Sequence, residues 1–319
     1  MHILIPFAAA TGPQCQQALA GLKLPHLEKL LRRLEPVRVL SGKVESLSPL
    51  HEQLAAQATG LPISDGLIPW AAQEAQTRGL TGLHGIDGWA WITPCNWTVH
   101  ADHVAMADPA HLALTASDYG VLWKAMEPYF SEDGITLFAN TPEHPTRAWL
   151  AHGAVFKELP TASIDRVVGH RVDRWLPRHN QAKSLRRLQN EMQMLLYTHA
   201  LNDERVSFKL PAINSFWVSG TGTLDSTAPS AHAEPLTMHT SLRTAALQDD
   251  GAQWASAWQA LDDDLLAQAI QRLERNEPVH IILCGEQHAI SLQHRASGLW
   301  ARLHRRLVDP QATALLKTL

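Results

Sequence analysis

The sequence predicts an α/β protein built from more than one unit. An apolar strand opens the chain and feeds a helical segment, the composition shifts towards β-formers near Trp89, and buried strands recur at 213–219 and 279–284. At 319 residues the chain exceeds a typical single domain, so two units are favoured over one large one.

Residues 3–8 (ILIPFA) read as the first strand, and 24–34 have helical spacing with Pro25 suited to a first turn. Residues 50–59 continue as helix to a stop at Gly60-Leu61-Pro62, and 69–78 form a further short helix ending at Gly79. One or two strands follow over 89–107, then a helix over 115–130 with Thr115 as N-cap. A turn at 131–134 precedes a strand at 135–139, and a loop holding Pro142 and Pro145 returns to apolar sequence at Trp149. Over 180–199 the residues Leu185, Leu188, Met192, Leu195 and Leu196 make one helical stripe, which leads into the strand at 213. Residues 221–241 read as a long polar loop; a helix over 252–274, a strand over 279–284 and a hairpin partner at 289–292 complete the chain. No internal repeat is present.

The net charge of −4 and pI near 6.5, with scattered Lys and Arg, give no electrostatic footprint for nucleic acid. No signal segment opens the chain and no apolar run suggests a membrane span, so a soluble, cytoplasmic protein is expected. Cys15, Cys95 and Cys284 are distant and odd in number, which argues against a disulfide framework and for buried thiols.

Residues 199–222 concentrate the most chemistry. His199, Asn202, Arg205, Pro211, Asn214, Trp217, Gly220 and Gly222 put a cation, two amides and a glycine-terminated apolar run in one segment. Ligands collect beyond strand ends in open α/β sheets, and glycines there let backbone N–H groups approach an anion that Arg205 would oppose. The competing reading is a surface arginine and a tight turn.

Other clusters are weaker. His100, Asp102 and His103 have metal-site chemistry, but strand alternation turns His103 away from the other two, so a solvated edge is expected. Gly285-Glu286-Gln287-His288 follows a buried strand, where it would bind metal or move protons, against the alternative of a hairpin turn. Ser48, Thr11 and Ser241 lack a nucleophile elbow or a neighbouring base. Asp262, Asp263 and Asp264 point in different directions on a helix and read as a solvated face.

The pattern His199-x-x-Asn202-x-x-Arg205 followed by Pro211-x-x-Asn214-x-x-Trp217-x-x-Gly220-x-Gly222 resembles a bacterial family of RpfE-type regulatory proteins, also labelled cofactor-independent phosphoglycerate mutases. That family looks like a distant branch of the archaeal-type phosphoglycerate mutases in the alkaline phosphatase superfamily. Weaker similarity includes Cys95-Asn96 with Asp108, the passage reaching Arg147, the Leu261-Asp262 helix and the strand into Glu286 and His288. The resemblance implies a doubly wound alkaline-phosphatase-like core, residues 1–88 and 211–319, interrupted by a smaller α+β domain over 89–210. With it goes the expectation of a small anionic or phosphorylated ligand, contacted by Arg205 and Arg147, oriented by Asn202 and Asn214, and approached by the Gly220-Thr221-Gly222 backbone, with His199 a further binding residue.

Enzymes of that superfamily use two metals, with a carboxylate at the end of the first strand and an Asp-His at the end of a late one. This chain has Ile5-Pro6-Phe7-Ala8 at the first place and Gly285-Glu286-Gln287-His288 at the second. Two divalent ions need several carboxylates, so no metal or other cofactor is expected and the implied role is regulatory binding. The enzyme alternative is a mutase or phosphohydrolase with manganese or zinc held by His288, Glu286, His239 and Asp65 or Asp87. A third reading is an interaction protein whose eleven tryptophans cover a protein partner.

Overall fold

The computed structural model describes residues 1–80, 87–141, 147–178, 180–224, 236–294 and 311–319. The chain divides into two compact units. The first comprises Met1–Glu45, Pro49–Gly60 and Ser230–Leu319, the second Ser46–Ser48 and Leu61–Pro229. The strands in chain order are β1 (His2–Ile5), β2 (Glu35–Ser41), β3 (Gly88–Cys95), β4 (Trp97–Val99), β5 (Val104–Met106), β6 (Thr136–Phe138), β7 (Trp149–Gly153), β8 (Ser215–Gly222), β9 (Thr237–Met238), β10 (His280–Cys284) and β11 (His288–Gln293).

The first unit is built on a mixed sheet of order β2-β11-β10-β1-β9. β1 lies parallel to β10 and β9, whereas β10, β11 and β2 run antiparallel in sequence, so this is an α/β sheet with an antiparallel flank. β1 stops at Ile5 because Pro6 has no N–H to continue the ladder and Phe7 turns into the left-handed region at φ 58°. β2 was not expected from the sequence. Its residues are largely exposed, Val37 and Val39 included, and its Pro36 is tolerated because the strand is an edge with a register irregularity opposite Ser291 and Leu292.

Two of this unit's helices, Pro13–Gly21 and Pro25–Leu31, begin with proline and have no side-chain cap of their own. Both are capped from more than two hundred residues away. Asp249 accepts from Gln14 N and Cys15 N, and Asp262 accepts from His26 N and Leu27 N. Asp262 opens a π-helical turn, Asp262–Leu266, between the α-helices Gly251–Leu261 and Ala267–Glu274, within the expected long helix. The core packs Ile3, Ile5, Leu27, Leu30, Trp254, Trp258, Leu266, Ile281 and Leu283.

The second unit is an antiparallel sheet of order β6-β7-β3-β8 with a separate β4-β5 hairpin. The expected Thr115 cap is present as a capping box with Asp118, starting the helix Ala116–Glu132. Helix Lys183–Tyr197 buries Leu185, Leu188, Met192 and Leu196 in a core shared with Leu122, Met126, Phe130 and Phe216.

The strand expected to return the chain to the first core at 211 belongs here instead. β8 pairs with β3, with Ile92 opposite Val218, because β3 is buried along nearly its whole length and is flanked by β7 on one side and β8 on the other. By their internal contacts the units divide after Gly60 and before Ser230, where the sequence reading expects 88 and 211.

Candidate functional site

The segment singled out in the sequence is a set of internal bonds within the second unit. His199 caps the helix Ala200–Ser207, its Nδ1 accepting from Leu201 N at 3.1 Å. Asn202 is buried, donates to Leu196 O and Ile213 O at 2.7 Å each, and accepts from Ile213 N at 2.7 Å. Asn214 does the same to Trp97, accepting from its N at 2.7 Å and donating to its O at 2.9 Å.

Arg205 is only 3 % exposed. Its Nε donates to Pro211 O at 2.9 Å, its Nη2 to Leu112 O, and its Nη1 lies 3.7 Å from Asp118 Oδ2. A guanidinium has five N–H donors, and here they are aimed at carbonyls and a carboxylate that lock a loop to a helix. The glycines follow suit. Gly220, at φ 64°, lies at a bulge where two residues of β8, Gly220 and Thr221, face one of β3, Ala90, and a Cβ there would sit 2.8 Å from Trp91 Cε3. Gly222, at φ 140°, lies against Leu67 and Pro69.

His199, Asn202, Arg205, Asn214, Gly220 and Gly222, expected to line an anion site, are placed in contacts that stitch β8 and its approach to the unit. Spacing could not separate the readings, since both need polar side chains beside a strand. Arg147 is exposed and apart from that stitching, and its carbonyl accepts from Tyr119 Oη at 3.1 Å.

In the first unit the tip of β1 is closed by tryptophans. Trp254 Nε1 donates to Phe7 O at 3.0 Å and Trp258 Nε1 to Ala8 O at 3.1 Å, while Ala8 N donates to Cys284 O at 2.9 Å. Ala8, Ala9 and Ala10 are buried. Both indoles are fully buried and meet edge to face at 6.3 Å. The residues that follow β1, Pro6-Phe7-Ala8, include no carboxylate.

Gly285-Glu286-Gln287-His288 is a hairpin turn, the second of its two readings. Gly285 N donates to His288 O at 2.9 Å, Gly42 N to Gln287 O at 2.7 Å, and His288 Nδ1 is 3.0 Å from Ser41 Oγ. Asp65 belongs to the other unit, where it accepts from Ser46 Oγ at 2.5 Å and Ser48 N at 2.9 Å. Ser48 in turn accepts from Gly66 N, a turn contact. Among the described residues, no group of three His, Cys, Asp or Glu at ligating distance includes Glu286, His288, His239, Asp65 or Asp87.

A different trio, His26, Asp262 and Asp263, does gather in the first unit. His26 Nδ1 is 3.0 Å from Asp262 Oδ2 and 3.8 Å from Asp263 Oδ1. Both Asp262 oxygens already accept helix N–H groups, and the positive end of a helix dipole opposes a cation. The geometry is that of a cap.

His100 and His103 close the β4-β5 hairpin, with rings stacked at 4.6 Å. A hydrogen bond from His103 holds the exposed Asp102 carboxyl below its usual range. The cysteines are buried as expected; burial, reinforced by Asp249, pushes Cys15 up to about 12, and burial also raises Cys95.

The residues that sequence reasoning missed are Asp249 and Asp262 as long-range caps, and Trp254 and Trp258 as the strand-tip plug. The tryptophan pair carried a signal, i and i+4 on one helix face, without indicating what it covered.

No protein-family model matches the chain, and no curated protein matches it. Two solved structures are similar to it. One is a cofactor-independent phosphoglycerate mutase from Thermoplasma acidophilum DSM 1728, at 12 % identity over 99 % of this chain and 95 % of that one, TM-score 0.37. Another is the PH0037 protein from Pyrococcus horikoshii, at 12 % identity over 95 % of this chain and 92 % of that one, TM-score 0.40. Neither likeness bears on chemistry. Among the described residues no helix is long and apolar enough to cross a membrane.

Proposed function

We propose that this chain is a phosphoglycerate-mutase-like protein of the RpfE type, with a core of alkaline-phosphatase ancestry, that has lost the two-metal centre and acts by binding, in a regulatory role. The observation that carries this reading is the tryptophan plug on β1. Where the resemblance calls for a metal carboxylate, the backbone carbonyls of Phe7 and Ala8 are occupied by indole N–H groups and the following alanines are buried. A bimetallic centre needs hard, charged ligands converging from several strand tips, and apolar packing supplies none.

The binding partner is proposed to be anionic, a reading supported by the family resemblance and by cationic groups exposed on the second unit, Arg147 among them. Arg205 is not offered as its contact. Three buried cysteines, none of them in a disulfide, support a reducing compartment such as the cytoplasm.

The test is metal content together with turnover. Freshly purified protein is expected to carry no stoichiometric manganese or zinc and to interconvert no phosphoglycerates when manganese is added. Stoichiometric metal with mutase turnover abolished by a chelator overturns the proposal.

A further inference from the structure

Residues 165–187 hold seven Lys and Arg against two Asp, in a chain whose net charge is −4. Part of this charge is spent internally. Arg166 is buried, Arg171 lies 3.3 Å from Asp173 and 3.7 Å from Asp102, and Arg187 pairs with Asp133 and lies 3.5 Å from Glu191. Arg174, Arg178 and Lys183 are exposed, and among the described residues no carboxylate stands within ion-pair distance of them.

These cations are gathered rather than scattered. Arg178 Nη2 lies 3.5 Å from Asp173 O, Arg186 Nη1 donates to Pro177 O at 2.7 Å, and the Arg174 guanidinium sits 5.6 Å from the Trp175 ring centre. Helix Lys183–Tyr197 starts in their midst with no acidic residue in its first turn and no side-chain cap. A helix left to its own stability selects acids there, so Lys183 at this start works against the helix's own electrostatics.

The outer face of that helix changes character along its length. Lys183, Arg187, Asn190, Met194 and Tyr197 recur at alternating spacings of four and three, a single exposed stripe about 21 Å long. Met194 is 73 % exposed and Tyr197 82 %. One end is cationic, the other apolar.

We infer that this face, with Arg174 and Arg178 before it, docks an acidic, amphipathic segment of a protein partner. The inference rests on the binding reading above and names its partner class. Charge complementarity selects an acidic segment, and the apolar end selects protein, because Met194 offers nothing to a phosphodiester backbone.

The test uses the full chain and a fluorescein-labelled peptide of about 15 residues, the length that spans the stripe as a helix, with Glu and Asp in one half and Leu and Phe on one face of the other. Anisotropy is expected to show saturable binding that weakens with salt. Reversing charge at the cationic end (Arg174→Glu, Arg178→Glu, Lys183→Glu) is expected to lower affinity about tenfold or more, and Met194→Ser with Tyr197→Ser several-fold. All five side chains are exposed, so circular dichroism is expected to stay unchanged.

Absence of peptide binding overturns the inference, as does equal binding by the charge-reversed protein. So does tighter binding of an oligothymidylate or of phosphatidylserine vesicles. These outcomes are independent of metal content and turnover, so a docking surface that fails leaves the non-catalytic reading standing, and mutase activity removes that reading whatever the peptide does.

Discussion

The Asn202 carboxamide and the Ile213 backbone bind each other twice, Oδ1 accepting from the N–H and Nδ2 donating to the carbonyl, each at 2.7 Å. The same Nδ2 also donates to Leu196 O. This pairing holds the approach to β8 against the end of helix Lys183–Tyr197, and it shows why an Asn at this place is structural. Asn202→Ala is expected to destabilise the protein by about 2–3 kcal/mol, since it leaves buried N–H and C=O groups without partners. Urea unfolding measures this; an unchanged midpoint returns Asn202 to the candidates for ligand contact.

Gly220 tests the bulge. Gly220→Ala adds strain at φ 64° and a collision with the Trp91 ring, whereas Gly134→Ala adds strain alone, since a Cβ at Gly134, φ 72°, meets nothing within 4 Å. The Gly220 variant is expected to lose about 1–3 kcal/mol more than the Gly134 variant. Equal losses in thermal unfolding would place Trp91 away from the glycine.

Asp249 links acid stability to a helix start. Burial alone would raise its carboxyl, but the N–H groups of Cys15 and Gln14 outweigh that and hold it below its ordinary value. The unfolded chain therefore takes up this proton at the higher pH. The stabilisation is present above the unfolded carboxylate value of about 4 and is lost as pH falls through the lower folded value. Asp249→Asn keeps an accepting oxygen but loses the negative charge at the helix start, so it is expected to cost about 0.3–1 kcal/mol at neutral pH, with the difference from wild type closing below about pH 4. A difference that persists undiminished at lower pH refutes the capping role.

The thiols are expected to be silent in the folded protein. Cys15, Cys95 and Cys284 are buried, and Cys15 is raised to about 12, so the thiolate fraction at neutral pH is negligible. Ellman's reagent at about pH 8 is expected to modify none of them until denaturant is added. Rapid reaction of one thiol in native protein would identify an accessible cysteine.

Much of the local structure was legible. Helix Leu50–Thr59 ends at Gly60 in the left-handed conformation, the Thr115 cap is in place, and the 185–196 stripe is the buried face, because each of these depends on residues close in sequence. The helix Pro13–Gly21 and the edge strand β2 were not, since the first takes its cap from Asp249 and the second takes its identity from β11.

The sequence by itself determined most of the alternation of strands and helices, the local cap at Thr115 and stop at Gly60, and the absence of a carboxylate after the first strand, all properties carried by neighbouring residues. Only the tertiary structure decided that β8 pairs with β3, that Trp254 and Trp258 close the tip of β1, and that Arg205 faces carbonyls inside its own unit. A buried polar side chain looks the same in sequence whether it serves a ligand or the backbone. What distinguishes the two is which groups lie within hydrogen-bonding distance once segments far apart along the chain have packed.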